Sequence, residues 1–126
     1  MKKLIGLALL AATFAAPAMA DCAYPKAPAR IPEGETASLE DMQASVKSVR
    51  EYDAAIKAYQ ACLDEEQKAL EAKIAKDNGG TMTEEQKKKT NDIYVQKSNA
   101  ADDELQAVAA RLNEQIRVYK AKHPSK

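Results

Sequence analysis

Between Leu39 and Lys76 the chain sets apolar residues at steps of three and four, and no glycine or proline interrupts them. Leu39, Met42, Val46, Val49, Ile56, Leu63, Leu70 and Ile74 fall on one stripe, with polar gaps at Asp53, Gln60 and Gln67. That spacing belongs to a long helix packed lengthwise against another helix. Tyr52 and Tyr59 broaden the stripe to one side, and beyond them runs a row of small residues, Ser48, Ala55, Cys62 and Ala69. Ser38 is placed to cap the helix, with Asp41 three residues on as a short stand-in for the usual capping-box glutamate. Glu40 and Asp41 also suit the positive helix start.

The next strong break is Asp77 to Thr83, DNGGTMT, read as a turn over 78–82. Thr83 then caps a second helix with Gln86 at the capping-box position. Its apolar positions are Ile93, Tyr94, Val95, Ala101, Leu105, Val108, Leu112, Ile116 and Tyr119, and Pro124 ends it. Helices over about 39–77 and 84–122 make an all-α antiparallel hairpin about 58 Å long, with 123–126 as a disordered tail. An alternative is a three-helix domain, with SNAADDE, 98–104, breaking the second helix. The first turns of that helix, EEQKKKTND, hold no apolar residue, which leaves Leu70, Ile74 and Met82 thinly covered. The hairpin tip is therefore expected to be mobile or to face a partner.

The N-terminal end reads as an export signal over 1–20: Lys2 and Lys3, an apolar run Leu4 to Ala16, and an A-x-A site at Ala18 to Ala20. Cleavage before Asp21 implies a periplasmic or secreted bacterial protein with no membrane span. Cys22 lies close enough to the cut to raise lipid attachment as an alternative, although Asp21 precedes it. Of 126 residues, 106 then remain for one small domain. Its charges nearly balance, with two more acidic than basic residues once Lys2 and Lys3 are gone, which argues against a nucleic-acid or polybasic membrane binder. The core available is mostly Ala, Val, Leu and Ile with five tyrosines, little apolar volume for a chain of this size.

Two cysteines, Cys22 and Cys62, in an oxidising compartment point to one intramolecular disulfide. An intermolecular bridge and a catalytic thiol are the alternatives, but there is no C-x-x-C pair. Residues 21–37 carry Pro25, Pro28 and Pro32, which favour an extended arm rising about 3.1 Å per residue. Residues 23 to 33 so extended span about 34 Å. Helix from Ser38 to Cys62 covers about 36 Å. The arm is thus expected to turn at Gly34, run back along helix 1, and bring Cys22 level with Cys62. Tyr24 and Pro25 would pack on a bed of Tyr52, Ala55 and Tyr59. The bland alternative for a Pro-rich arm is a floppy linker or a ligand for an aromatic groove.

C-A-Y-P-x-x-P at Cys22 to Pro28, I-P-E-G-E-T-A-S ending at Ser38, Y-x-x-C-L at Tyr59 to Leu63, and A-A-R-L-N-E-Q-I-R-V-Y-K at Ala109 to Lys120 resemble a family of small exported proteobacterial proteins of unknown function. The resemblance runs through the mature chain. It implies secretion and a common plan, and it carries no site residues. Separately, M-T-E-E-Q at Met82 to Gln86 is similar to the L-T-x-x-Q signature of helical periplasmic stress chaperones, with Met82 in place of leucine and one copy rather than two. A plain capping box explains the same residues.

Little else carries chemistry. Asp64-Glu65-Glu66 and Asp102-Asp103-Glu104 are adjacent acids that point different ways on a helix, unlike a calcium loop. Lys87-Lys88-Lys89 reads as a solvated face. His123, the single histidine, has no partner ligand at metal spacing, and Met42 and Met82 read as packing rather than haem ligands. No nucleophile elbow, phosphate-binding glycine loop or zinc motif is present. The expectation is a non-catalytic exported protein, without cofactor, that binds an envelope protein or a second copy of itself. A holdase-type chaperone is the first alternative. A small enzyme or metal carrier is the second.

Overall fold

The computed structural model describes residues 21–125. The export signal read at 1–20 lies outside the described residues. Two helices make up the body, α1 over Leu39–Asp77 and α2 over Glu84–Lys122, packed against each other as an antiparallel hairpin. Both starts are closed by reciprocal capping boxes. Ser38 and Asp41 exchange side-chain and backbone hydrogen bonds at 3.1 and 3.2 Å, as do Thr83 and Gln86 at 3.2 and 2.9 Å. The end of α1 is a Schellman motif: Gly80 N–H reaches the Ala75 carbonyl at 2.7 Å and Gly79 N–H the Lys76 carbonyl at 3.2 Å. Gly79 and Gly80 hold φ of 79° and 120°, values a side chain would strain. Asn78 then donates to Gln86 at 2.7 Å, tying the turn to the next cap.

α2 is continuous through 98–104, so the three-helix alternative falls. That stretch has no glycine or proline, and tertiary contacts hold it. Ala101 is fully buried, and Gln60 of α1 donates to Asp102 at 2.8 Å and to the Ser98 hydroxyl at 3.2 Å. Gln60, a polar gap in the stripe, therefore works as a cross-link between the helices. His123 also differs from a free tail residue. Its backbone N–H caps the Tyr119 carbonyl, and its ring stacks on Tyr119 at 4.3 Å.

The core is thin and comes in two clusters. Ile31, Val49 and Leu112 form one, with Val46, Val108 and Ile116 against it. Tyr52, Ile56 and Ala101 form the other, with Ala27, Tyr59 and Leu105. Each cluster takes one residue from the arm, Ile31 or Ala27. The arm is thus a third element of the core. The apolar stripe overreaches at its ends: Leu39 is 57% exposed and Leu70 37%. Ile93 and Val95 flank Tyr94 and lie outside the seam, 45% and 40% exposed, because a helix can turn only one of three successive residues inward.

Candidate binding site

The disulfide-held arm decides which surface of the hairpin is left free. Cys22 and Cys62 are disulfide-bonded, with Cα atoms 5.8 Å apart across 40 residues of sequence. The sulfur that lipid attachment would need is therefore taken up. The arm turns over residues 34–36, where Thr36 and Ala37 N–H groups return to the Glu33 carbonyl at 3.1 and 2.9 Å. Gly34 is essential to that turn for a steric reason. A Cβ placed on it would lie 2.0 Å from the Gln115 carbonyl oxygen and 2.8 Å from the Tyr119 nitrogen. Its N–H donates to Gln115 Oε1 at 2.8 Å, and next to it Glu35 meets Lys122 at 2.9 Å.

These partners correct the expected bed in one respect. The arm lies in the groove between the helices and leans on both, where the sequence suggested helix 1 alone. Tyr24 does meet Tyr59, edge to face at 5.1 Å, and Ala27 packs against the cluster of Tyr52, Ile56 and Ala101. Pro25 and Ala55 are half-buried, while Cys62 and Ser48 keep more exposure than a covered bed would give them. The opposite wall is α2: Glu104, Val108, Leu112 and Gln115. The physical reason is area. An extended chain buries more of Ala27 and Ile31 between two convex rods than on one. Glu104 of this wall belongs to the Asp102-Asp103-Glu104 run, which by sequence is no more than adjacent acids on a helix.

At the disulfide end the Tyr24 hydroxyl donates to Glu104 Oε2 at 2.6 Å. That bond to a carboxylate holds the Tyr24 phenol well above the ordinary tyrosine value, and burial adds to it. The Tyr52 phenol is raised mainly by burial and also by the charge of Glu104. Its hydroxyl finds no well-formed hydrogen bond, although Tyr24 and Glu104 are both near. This trio latches the arm, and nothing in it resembles a nucleophile with its base. Among the described residues no group of three or more His, Cys, Asp or Glu is placed to hold a metal ion. Nor is any described helix long and apolar enough to cross a membrane.

The arm covers one side of the helix–helix seam, and the other side stays bare. There, near the arm's turn, lies an open groove of about 470 Å³. Leu39, Met42, Val46, Ile116 and Tyr119 form its apolar floor. Gln43, Lys47, Arg50 and Lys120 rim it, so three cations and no carboxylate line the groove. Lys47 has only a loose, exposed contact with Glu51 at 3.8 Å. Sequence reading placed Leu39, Met42 and Val46 in the helix seam. It missed this groove, because spacing alone does not say which flank of a stripe the arm will cover.

The expected tip residues lie at the end of the hairpin that the arm does not reach. Leu70 is exposed, and Ile74 and Met82 are half-buried. Opposite them sits Thr90, whose buried hydroxyl bonds the Lys87 carbonyl at 3.0 Å and Glu71 at 3.3 Å. A smaller groove of about 230 Å³ opens beside Leu63, Leu70, Ile93 and Tyr94, crossed by the Glu66–Lys97 ion pair at 3.7 Å. It lies in the half of the hairpin beyond Cys62, where the arm no longer reaches.

No protein-family model matches this chain, and no curated protein or solved structure does.

Proposed function

We propose that this is a non-catalytic exported protein that works by binding protein, in the periplasm or outside the cell. The observation that supports the reading is the bare side of the seam. A chain with so little apolar volume leaves Leu39 exposed and Val46, Ile116 and Tyr119 half-buried along an open groove, with Met42 buried at its base. An unfilled apolar strip between two helices fits a further helix. The disulfide suits an oxidising compartment, and the N-terminal signal pattern gives the route there. The partner is an envelope protein or another copy of this chain.

A photo-crosslinking residue at Gln43, on the groove rim, tests this in the native envelope. Adducts should form from Gln43 and not from a control crosslinker at Arg111, on the arm's side. They should vanish when Leu39→Asp places a charge on the floor. Equal capture from both positions, or none from Gln43, removes the reading.

A second reading, a holdase-type chaperone, draws on the exposed Leu70 and Ile93 near the tip and on the M-T-E-E-Q likeness. Suppressed aggregation of a reduced model client at near-stoichiometric ratio would favour it. No effect on aggregation would dismiss it.

A further inference from the structure

The bare side of the seam carries its charges in order along the rod. At the arm-turn end are Lys47, Arg50 and Lys120, around an apolar floor with no acid among the lining residues. Towards the middle the same side is marked by the Gln60–Asp102 bond. Asp64 lies one turn beyond Gln60, and Glu71 two turns beyond Asp64, where it lines an open groove at the tip with Gln67, Asn91 and one cation, Lys87. Val95, 40% exposed, stands two turns from Asp102 on the matching strip of α2. One half of the face is therefore basic and apolar. The other half carries Asp64 and Glu71 against the one lining cation Lys87, together with the exposed Val95.

We infer that this face is the contact between two copies of the chain laid antiparallel, each basic groove against the other's acidic half. The inference rests on the protein-binding reading of the same face and names the partner. Two face-to-face arrangements of identical rods are possible by two-fold symmetry. The parallel one stacks Lys47 and Arg50 on the other copy's Lys120, and like charges repel. The antiparallel one sets α1 on α1 and α2 on α2. With the crossing near Lys57, Arg50 faces Asp64 of the second copy, where it shares the carboxylate with that copy's own Lys68 at 2.6 Å, and Gln43 faces Glu71. Lys120 then faces the start of the second copy's α2, where Glu85 stands beside Glu84 and its partner Lys87 at 2.8 Å. Lys57 lies at the crossing with its charge already met by Asp53 at 2.7 Å. The floor at Leu39 and Val46 is covered by the second copy's Ile74 and Val95. Rods about 58 Å long need a strip only about 14 Å wide to bury about 800 Å² per copy, the size of an ordinary stable interface.

Sedimentation equilibrium of the mature, disulfide-bonded protein tests this. A dimer is expected, weakened by salt. Arg50→Glu should loosen it about tenfold, Asp64→Arg should do the same, and the two together should restore it. Both sites are on the surface, so helicity by circular dichroism should stay constant and separates loss of contact from loss of fold. A monomer at every concentration overturns the inference, as does a dimer indifferent to Arg50→Glu. If the protein is monomeric but the crosslinker at Gln43 captures a different protein, the inference fails and the protein-binding reading stands. If it is monomeric and nothing is captured, both fail.

Discussion

Gly34 is the residue with least room to change. Its α-carbon faces the backbone of α2, so Gly34→Ala must push the arm's turn off Gln115 and Tyr119. A loss of about 2 kcal/mol is expected, from overpacking and a disturbed hydrogen bond, read as a lower urea midpoint. Among the described residues Ile56 is the one large side chain that is fully buried, and Ile56→Ala should cost about 3 kcal/mol by leaving a cavity between rods. The tyrosine latch gives an alkaline signature. The Tyr24 and Tyr52 phenols titrate higher folded than unfolded. Their contribution is whole below the unfolded value of 10.0 and is lost as pH rises through the folded ones. Wild-type stability should therefore begin to fall near pH 10 and keep falling at higher pH, and Tyr24→Phe should flatten that fall. An unchanged slope in the variant would mean that the latch does not hold the arm.

At the scale of elements, each helix is a well-capped rod whose middle is packed and whose tip is not. Most of the ion pairs are exposed i,i+3 and i,i+4 pairs within one helix, such as Lys68 with Asp64 at 2.6 Å and Arg117 with Glu114 at 2.6 Å. Such pairs support helicity by a few tenths of a kcal/mol each and do not bring the helices together. What does so is concentrated between Val49 and Leu63 on α1 and between Ala101 and Leu112 on α2. Amide exchange should follow that division. Protection should be highest at Tyr52 to Leu63 and Ala101 to Leu112. It should fall sharply over Glu71 to Asp77 and Glu84 to Lys89. Uniform protection from turn to terminus would contradict the thin-tip description.

For the molecule as a whole, the disulfide is the main restraint on a domain short of core. Closing a loop of 40 residues is worth about 4 kcal/mol in the chain-entropy account, a large share of the stability expected of so small a domain. Reduction, or Cys22→Ser, should lower the thermal midpoint steeply. It should also free the arm to leave the groove, exposing Ile31 and Val49 to an apolar dye. If the reduced protein melts where the oxidised one does, the arm is held by packing alone.

The helices, both capping boxes, the Gly79-Gly80 turn and the pairing of Cys22 with Cys62 were legible in the chain by itself. Each follows from local chemistry: a 3–4 apolar spacing, a hydroxyl or carboxylate at the right offset, glycine at positive φ, and two thiols brought level by matching rises per residue. The arm's seat on both helices, the cross-link from Gln60 to α2 and the side of the seam left bare were settled only in three dimensions. A helical stripe has two flanks, and local spacing weighs them equally. The choice between them depends on how much of Ala27 and Ile31 the second helix can cover, and that quantity exists only once both rods are in place.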